Sequence, residues 1–583
     1  MGVNQPISII TRLPDHFVST DQDNRALIRQ SGGVALGTAA SRVTGLLRIV
    51  VLTWAIGQTN LTDIFNLANV GPNLIYELAI GGVLSATLVP LFVQLRKASD
   101  EETASIVSSS LVLLFGALTV AVLLLAHLGV GAARALEWGG DRTELQFRIF
   151  LRLLDFILPQ VFFYGLITLA TARLNSTGSF VAPAWTPAAG NLVSSGFFLA
   201  AGLRAGESKA ILGAQVMEPG VLALLGIGAT AGIALSALLL VPSLRSSGSL
   251  GHFRPRLRHH SFAELRRLSG WTLGYVAVNQ LTFLFIYGTN ASLRSGGPSM
   301  YVNAYTFFQL PHGLIAVSIM TTTMPSLAAA FVDDDPELFR NRFLRGLTMM
   351  MSAILPAAAG LAALAHPLIA TMLQRGAFNE RETSVTAFTL AAFAVGLPGF
   401  SLYLYCLRGF YARKNTRTPF YMNLIQNATN VVLIVTVTAV LSGGASSRWG
   451  IPAMALAYAT SYTVAGLVAA RALNQDVGAT PSRAMDISAV PELRAAGSTL
   501  ARLGLAALLM GGALAALLSL VSPTGVTQSA LALIVGSLGG GSLYLVLSNL
   551  LGAPDLGDLL AELPGPLGTI GRALPHRTTT SSR

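Results

Sequence analysis

Long apolar stretches alternate with short polar breaks along the chain, and the stretches have the length of helices rather than of strands. The runs Leu268–Leu293, Ser295–Val332, Gly346–Gln374, Thr418–Ser447 and Leu503–Pro554 contain no Asp, Glu, Lys or Arg. A helix needs roughly 20 apolar residues to cross the hydrocarbon core of a bilayer. Each run is therefore long enough for a crossing, and the last holds two, divided at Ser522-Pro523-Thr524-Gly525. The same reading over the whole chain predicts fourteen helices, near 31–57, 64–95, 104–131, 148–171, 183–203, 210–241, 266–293, 300–331, 345–373, 384–411, 419–441, 450–474, 497–521 and 527–551.

The first six of these helices resemble the next six. "QSGGVALG" (Gln30–Gly37) recurs as "LSGWTLG" (Leu268–Gly274), and "LSATLVPLF" around Pro90 recurs as "IMTTTMPSL" around Pro325. His127 matches His366, Pro159 matches Pro398, and "ATARLNST" (Ala170–Thr177) matches "GFYARKNTRT" (Gly409–Thr418). Apolar helices look alike by composition alone, but Pro, His and Arg-Asn landmarks that keep their order and spacing mark a repeat. An even number of helices per unit makes the two copies parallel, an arrangement that puts a substrate cavity between two bundles. The expected fold is an all-α integral membrane protein with two parallel six-helix lobes and two further C-terminal helices.

Composition agrees with this. Of the 583 residues 52% are hydrophobic and 11% charged, against about one-quarter charged in soluble domains. With the N-terminus on the cytoplasmic side, the inside segments collect most of the 38 Lys and Arg, as the positive-inside rule expects, so both termini are assigned to the cytoplasm of a plasma-membrane protein. The expected organisation is a cytoplasmic segment 1–30, an N-lobe 31–241, a basic linker 242–265, a C-lobe 266–474, a second linker 475–496, the terminal helix pair 497–551 and a tail 552–583. Residues 1–30 lack the apolar core of a signal peptide, so the first span is expected to direct its own insertion. The single cysteine, Cys406, excludes a disulfide framework and reads as a small hydrophobe. "RPRLRHH" (Arg254–His260) reads as an anchor for anionic lipid head groups. The net charge of +11 is taken up by such loops, and no nucleic-acid module is present to use it.

The charges inside the membrane carry the chemistry. Arg42 and Arg48 lie about 15 and 24 Å along the first helix, too deep for a terminal side chain to reach water. A buried Arg costs from roughly 2.5 kcal/mol upward, so such residues face a water-filled cavity or an anionic partner. The repeat places Gln280 opposite Arg42 and Ile286 opposite Arg48, which confines the charge to the first lobe. Gly45, between the arginines, permits a bend or close packing. Asp63 and Glu77 enter the second helix about four turns apart, near one face; either could pair with the arginines. Asp63 also suits a helix start, and Glu77 suits an ion pair or a substrate contact. Arg152 and Asp155 read as a solvated helix end. No Gly-Lys dipeptide occurs, which excludes a P-loop, and there is no HExxH. No metal site or cofactor is expected; coupling to the membrane potential or to a monovalent ion is left open.

"SRVTGLLR" (Ser41–Arg48), "TDIFNLANVGPNL" (Thr62–Leu74), "GGVLSATLVPLF" (Gly81–Phe92), "LPHGLIAVSIMTTTMPSL" (Leu310–Leu327), "RGAF" (Arg375–Phe378) and "FYARKNTRTP" (Phe410–Pro419) resemble the MurJ/MviN lipid II flippases of the MOP exporter superfamily. The likeness covers helices one to twelve in order, and "NLIYELAIGGVLS" (Asn73–Ser85) is most similar to members from high-GC Gram-positive bacteria. The resemblance implies two lobes around a central cationic cavity, a groove for a polyprenyl tail made by the last two helices, and lipid II, membrane lipids and cell-wall synthesis proteins as partners. Arg42 and Arg48 match the two first-helix arginines of the family, and Asp63 its acidic residue before the second helix. Arg42, Arg48, Asp63, Asn73 and Glu77 are accordingly the candidate substrate-binding residues, with Asn279, Gln280, Asn423 and Asn427 as candidate ion or polar-cavity residues. The chain departs from the family pattern at Tyr76-Glu77, where many members have an arginine pair, and at Thr306, where they have an arginine. Its cavity is thus less cationic than the pattern. Some members bind sodium through carboxylates in the seventh and eleventh helices, where this chain has the neutral Asn279, Asn423 and Asn427.

The function these residues imply is movement of a polyprenyl-linked sugar precursor across the bilayer by alternating access, with Arg42 and Arg48 on the pyrophosphate. Two rivals stand beside it. An exporter of drugs or of another glycolipid would more often have an aromatic, acidic cavity, and a non-transporting scaffold for envelope assembly would bury both arginines in protein contacts.

Overall fold

The computed structural model describes residues 21–57, 60–78, 85–135, 144–206, 218–256, 261–293, 296–375, 378–413, 415, 417–441, 449–477 and 491–553. Every regular element among them is helical. The first half contains α1 (Asp21–Ile56), α2 (Asn60–Leu78), α3 (Ser85–Lys97), α4 (Glu101–Ala135), α5 (Glu144–Ile157), α6 (Gln160–Ser176), α7 (Val181–Ala205), α8 (Pro219–Leu238) and the short α9 (Val241–Ser246). The second contains α10 (Ser261–Leu293), α11 (Gly297–Pro311), a π-turn (His312–Ala316), α12 (Val317–Val332), α13 (Pro336–Ala363), α14 (Ala365–Leu373), α15 (Glu380–Val395), α16 (Leu397–Ala412), α17 (Arg417–Leu441) and α18 (Gly450–Val477). The chain ends in α19 (Pro491–Val521) and α20 (Gly525–Leu550).

Among the described residues, 9 helical segments are long and apolar enough to cross a membrane, or 10 when α15 and α16, bent by 46° at their junction, count as one. The other expected spans are helical, but they are shorter, more polar or interrupted. The interruptions have local causes. Pro159 caps α6 and parts it from α5, Pro398 sits in the first turn of α16, and Leu364 separates α13 from α14. Proline lacks the N–H that an unbroken helix needs and its ring crowds the preceding turn. The first helix also begins at Asp21, ahead of the expected start.

The packing makes the repeat physical. In the first half α7 packs on α1 and α8; in the second α17 packs on α10 and α18. His127 of α4 pairs with Asp155 of α5 at 3.2 Å, and its repeat mate His366 of α14 pairs with Glu380 of α15 at 3.0 Å. The guanidinium of Arg173 lies 5.2 Å from the centre of the Phe92 ring, and that of its mate Arg413 lies 5.7 Å from the Phe331 ring, each closing the end of its lobe by a cation–π contact. Arg173 is also bonded to the Ser249 carbonyl and to Glu101. The segment after α9 lies along α4: the Arg254 and Arg256 amides donate to Ser109 and Ser110, and Arg254 pairs with Glu102 at 3.8 Å. Half of the basic cluster expected to meet lipid is thus pinned to protein; residues 257–260 are outside the described residues. Cys406 is buried in the core of the second lobe.

Close approach of α7 and α8 depends on two glycines. A Cβ on Gly190 would stand 2.5 Å from the Gly232 carbonyl, and one on Gly232 would stand 2.4 Å from the Gly190 carbonyl. Contacts this short force the helices apart, and overpacking of this kind costs about 1–3 kcal/mol. Gly232→Val is expected to lower the melting temperature and the monodisperse yield of the detergent-solubilised protein. A variant that melts like the parent by fluorescence-detected gel filtration would show that the seam tolerates separation.

Candidate functional site

The two lobes face each other across a cavity of about 430 Å³. Its walls are α2 (Asn66, Asn69, Asn73), α10 (Asn279, Gln280), α11 (Tyr301, Tyr305, Gln309), α17 (Gln426, Asn427, Asn430) and α18 (Tyr458, Tyr462). No Asp, Glu, Lys, Arg or His is among the lining residues. Four of the candidate residues, Asn73, Asn279, Gln280 and Asn427, are thus brought together. Asn423 stands behind them: its amide and that of Asn427 both donate to the Asn279 Oδ1 at 2.9 Å, tying α17 to α10 by neutral side chains.

The two first-helix arginines border this space without lining it. α1 is held to α7 by Asn191, whose amide donates to the Ser41 carbonyl at 3.2 Å; a Cβ on Gly45 would meet the same amide at 3.4 Å. Gly45 therefore serves close packing within one continuous helix. Arg42 is exposed and Arg48 half-buried, and among the described residues neither makes an ion pair. The Arg42 guanidinium reaches the opposite lobe, where a Cβ on Gly313 would stand 3.5 Å from its Nη2. Arg48 lies within electrostatic range of Tyr164, whose hydroxyl donates to Asn73 Oδ1 at 3.2 Å. A third guanidinium, not singled out from the sequence, belongs to the same neighbourhood: Arg408 of α16 is exposed, and both it and Arg42 lie within electrostatic range of His312. The sequence signal that could have found Arg408 is a charge inside the apolar stretch of the tenth expected helix, 384–411. His312 itself is buried and bonded through Nδ1 to Ser401 at 2.9 Å.

Asp63 is placed differently from the arginines. Its carboxylate accepts from the Gly296 amide at 2.7 Å, from the Ser299 hydroxyl at 2.7 Å and from the Ser299 amide at 3.3 Å. It caps the first turn of α11, a helix of the other lobe, rather than α2 or a guanidinium. The Asn66 amide donates to the Ser299 hydroxyl at 2.8 Å and the Tyr287 hydroxyl donates to the Asp63 carbonyl, so α2, α10 and α11 are joined at this end. Free N–H groups at a helix start and the positive end of its dipole both favour a carboxylate there. Thr306 spends its hydroxyl on the Val302 carbonyl of its own helix. Glu77 lies in α2, but its side chain, like that of Tyr76, is outside the described residues.

A second, apolar groove of about 350 Å³ runs between α13, α14, α19 and α20, with Pro311 of α11 in its lining. It is lined by Leu361, Leu364, Leu368, Met510, Leu514, Leu533 and by Gly360, Gly536, Gly540 and Gly541, whose missing side chains form its floor. The Tyr544 hydroxyl donates to the Ser352 carbonyl at 2.8 Å and pins α20 to α13. Pro311 is two residues from Gly313, which abuts Arg42. Groove, guanidinium and polar cavity therefore meet at the π-turn.

Two repeated helical lobes with a polar cavity between them and an apolar groove beside it are the architecture of a two-lobed membrane transporter. A family model described as "Lipid II flippase MurJ" matches residues 52–536, and the chain belongs to that family. It is 28% identical over 421 residues to a probable lipid II flippase MurJ of Vibrio cholerae, covering 70% of this chain and 77% of that one. It is 29% identical over 407 residues to the lipid II flippase MurJ of Burkholderia cenocepacia, covering 68% and 74%. The fold matches a solved lipid II flippase MurJ in an inward closed conformation, with a TM-score of 0.67 at 21% identity over 89% of this chain and 98% of that one. It also matches an inward-facing multidrug-resistance MATE transporter of the MOP superfamily, with a TM-score of 0.61 at 12% identity over 77% and 100%.

Proposed function

We propose that this chain is a lipid II flippase: it carries the lipid-linked peptidoglycan precursor between leaflets of the bacterial plasma membrane, as a transporter and not as an enzyme. The observation that carries the mechanism is two guanidinium groups that form no ion pair among the described residues, Arg42 against Gly313 of the π-turn and Arg48 within electrostatic range of Tyr164 beside the cavity wall. A planar guanidinium fork matches phosphate oxygens two at a time and stays charged at any physiological pH. Arg42 and Arg48, with Arg408 from the opposite lobe, hold the pyrophosphate; the polar head occupies the hydrated space between the lobes; the polyprenyl tail stays in the apolar groove beside α19 and α20. Both termini are cytoplasmic, so the end joined by Asp63 faces outward and access is from the cytoplasm. Rocking of the lobes, which requires release of Asp63 from α11, exchanges access.

An exporter of cationic drugs would set carboxylates beside its aromatic walls; this cavity has the aromatics, Tyr301, Tyr305, Tyr458 and Tyr462, but no carboxylate among its lining residues, and that, with the family match, favours the lipid-linked glycan. Replacement of a host's essential lipid II flippase by this chain, with surface lipid II measured, tests the reading: growth and surface lipid II should be restored, and failure of a well-expressed, membrane-inserted protein to restore either would overturn it.

The groove has its own test. A Cβ on Gly541 would meet nothing within 4 Å, so a large side chain there enters the groove without disturbing the fold. Gly541→Phe is expected to melt like the parent while cutting flipping in reconstituted vesicles several-fold, because the ring fills space the tail needs and removes its close-packed contacts with the groove. Unchanged flipping would remove the tail from this groove.

A further inference from the structure

Building on the flippase reading, we propose that the uncharged cavity between the lobes is a sugar subsite: Asn430 and Tyr301 hydrogen-bond the hydroxyl and acetamido groups of the lipid-linked glycan, and so decide which lipid pyrophosphates are carried.

The cavity is set apart first by what it lacks. Its lining carries no cationic or anionic side chain, so neither phosphate nor the ionised parts of a peptide meet an opposite charge there. What it offers is amides and phenols. An amide presents two donors and an acceptor with two lone pairs, and a hydroxyl presents one of each kind. Such groups match a pyranose, whose hydroxyls are donors and acceptors at once, and an N-acetyl group, which is itself an amide. Tyrosine rings supply flat apolar faces for the C–H side of a sugar ring. The volume of about 430 Å³ falls in the range of roughly 300–1,000 Å³ usual for small-ligand sites.

Two side chains point to a ligand independently of the lining chemistry. Asn430 is 1% exposed, and neither its Nδ2 nor its Oδ1 finds a hydrogen-bond partner among protein groups. Tyr301 is 5% exposed, and its hydroxyl is likewise unpartnered. Buried polar groups are almost always paired, and neighbouring amide N–H groups are: those of Asn427 and Asn423 both donate to Asn279. Two side chains without protein partners on the wall of a polar cavity, beside amides that bond one another, are the pattern of a binding surface rather than of a structural network.

The position agrees. Arg48 lies within electrostatic range of Tyr164, which bonds Asn73, and Asn73 is a wall of the cavity. A head group with its pyrophosphate at the arginines would have its first sugar at this wall.

The test compares two ligands on one purified protein in lipid nanodiscs: lipid II, and polyprenyl pyrophosphate without sugar. The parent should bind lipid II more tightly. Asn430→Leu and Tyr301→Phe should each weaken lipid II binding about tenfold, the scale of one or two lost neutral hydrogen bonds, and leave polyprenyl pyrophosphate binding unchanged. Asn430→Leu should also raise the melting temperature of the unliganded protein, since an unpaired amide is replaced by an apolar group of similar size. Equal weakening of both ligands by the variants, or unchanged binding of both, overturns the sugar subsite. Failure of the parent to bind either ligand would instead defeat the flippase reading on which the proposal rests.

Discussion

Arg42→Ala and Arg48→Ala are each expected to abolish lipid II flipping while leaving a folded, membrane-inserted protein. Among the described residues neither guanidinium holds an ion-pair partner that would be stranded by its removal, and Arg42 meets the opposite lobe at Gly313, which has no side chain to lose packing. The loss falls on the ligand. A pyrophosphate diester carries two negative charges, and the two arginines match them in number. A charge-assisted hydrogen bond contributes about 1.5–3 kcal/mol, so each alanine variant should bind lipid II more weakly by about one to two powers of ten. In a transporter that must strip phosphate of water on every cycle, the same deficit falls again on the crossing barrier. Lysine keeps the charge but loses the fork, so Arg48→Lys should fall between parent and alanine. A cysteine at position 42 should react with a water-soluble thiol reagent, as a hydrated chamber requires and a dry scaffold contact forbids. Full flipping by either alanine variant, at parental expression, would sink the phosphate assignment.

Asp63→Ala should have the second largest effect, on conformation rather than on affinity. The carboxylate receives two backbone amides and a hydroxyl from the start of α11, at 2.7–3.3 Å, and these bonds exist only while α2 and α11 stay together. Their loss, with that of the helix-dipole term of about 0.3–1 kcal/mol, should remove roughly 3 kcal/mol from the joined state. That is close to a hundredfold shift toward the state with this end parted. The readout is labelling of a cysteine at Asn69, on the cavity wall, by an impermeant reagent added outside the cell. Cys406, the chain's single cysteine, is buried and contributes little background. Labelling should be slow in the parent background and fast with Asp63→Ala; equal rates would show that Asp63 does not hold the gate.

The repeat and the helical plan were legible because they are written in residues that constrain backbone or charge wherever they occur. Pro159 and Pro398 break their spans, His127 and His366 find a carboxylate on the next span, and Arg173 and Arg413 each cover an aromatic ring. Arg42 and Arg48 drew notice from the sequence in the same way, since a charge far inside an apolar run requires a reason. The partner of Asp63 was not. Period and spacing tell which face of a helix a residue shares, and the bond to Ser299 crosses 236 residues of sequence to the other lobe. The rest of the cavity lining was hidden for a related reason: the family resemblance pointed to Asn73, Asn279, Gln280 and Asn427, but Asn66, Asn69, Gln426, Asn430 and the tyrosines leave no periodic mark, and only their convergence from α2, α10, α11, α17 and α18 gives them meaning.

The π-turn at His312–Ala316 has a consequence for which molecules are carried. At and just before this turn, one stretch of backbone shows Gln309 to the cavity, Pro311 to the groove and Gly313 to Arg42. An ordinary phospholipid offers acyl chains and a phosphate to two of these surfaces and leaves the third dry. Bulk membrane lipid, present in vast excess, is thereby turned away by incompleteness rather than by repulsion, as a lock with three levers ignores a key cut for two.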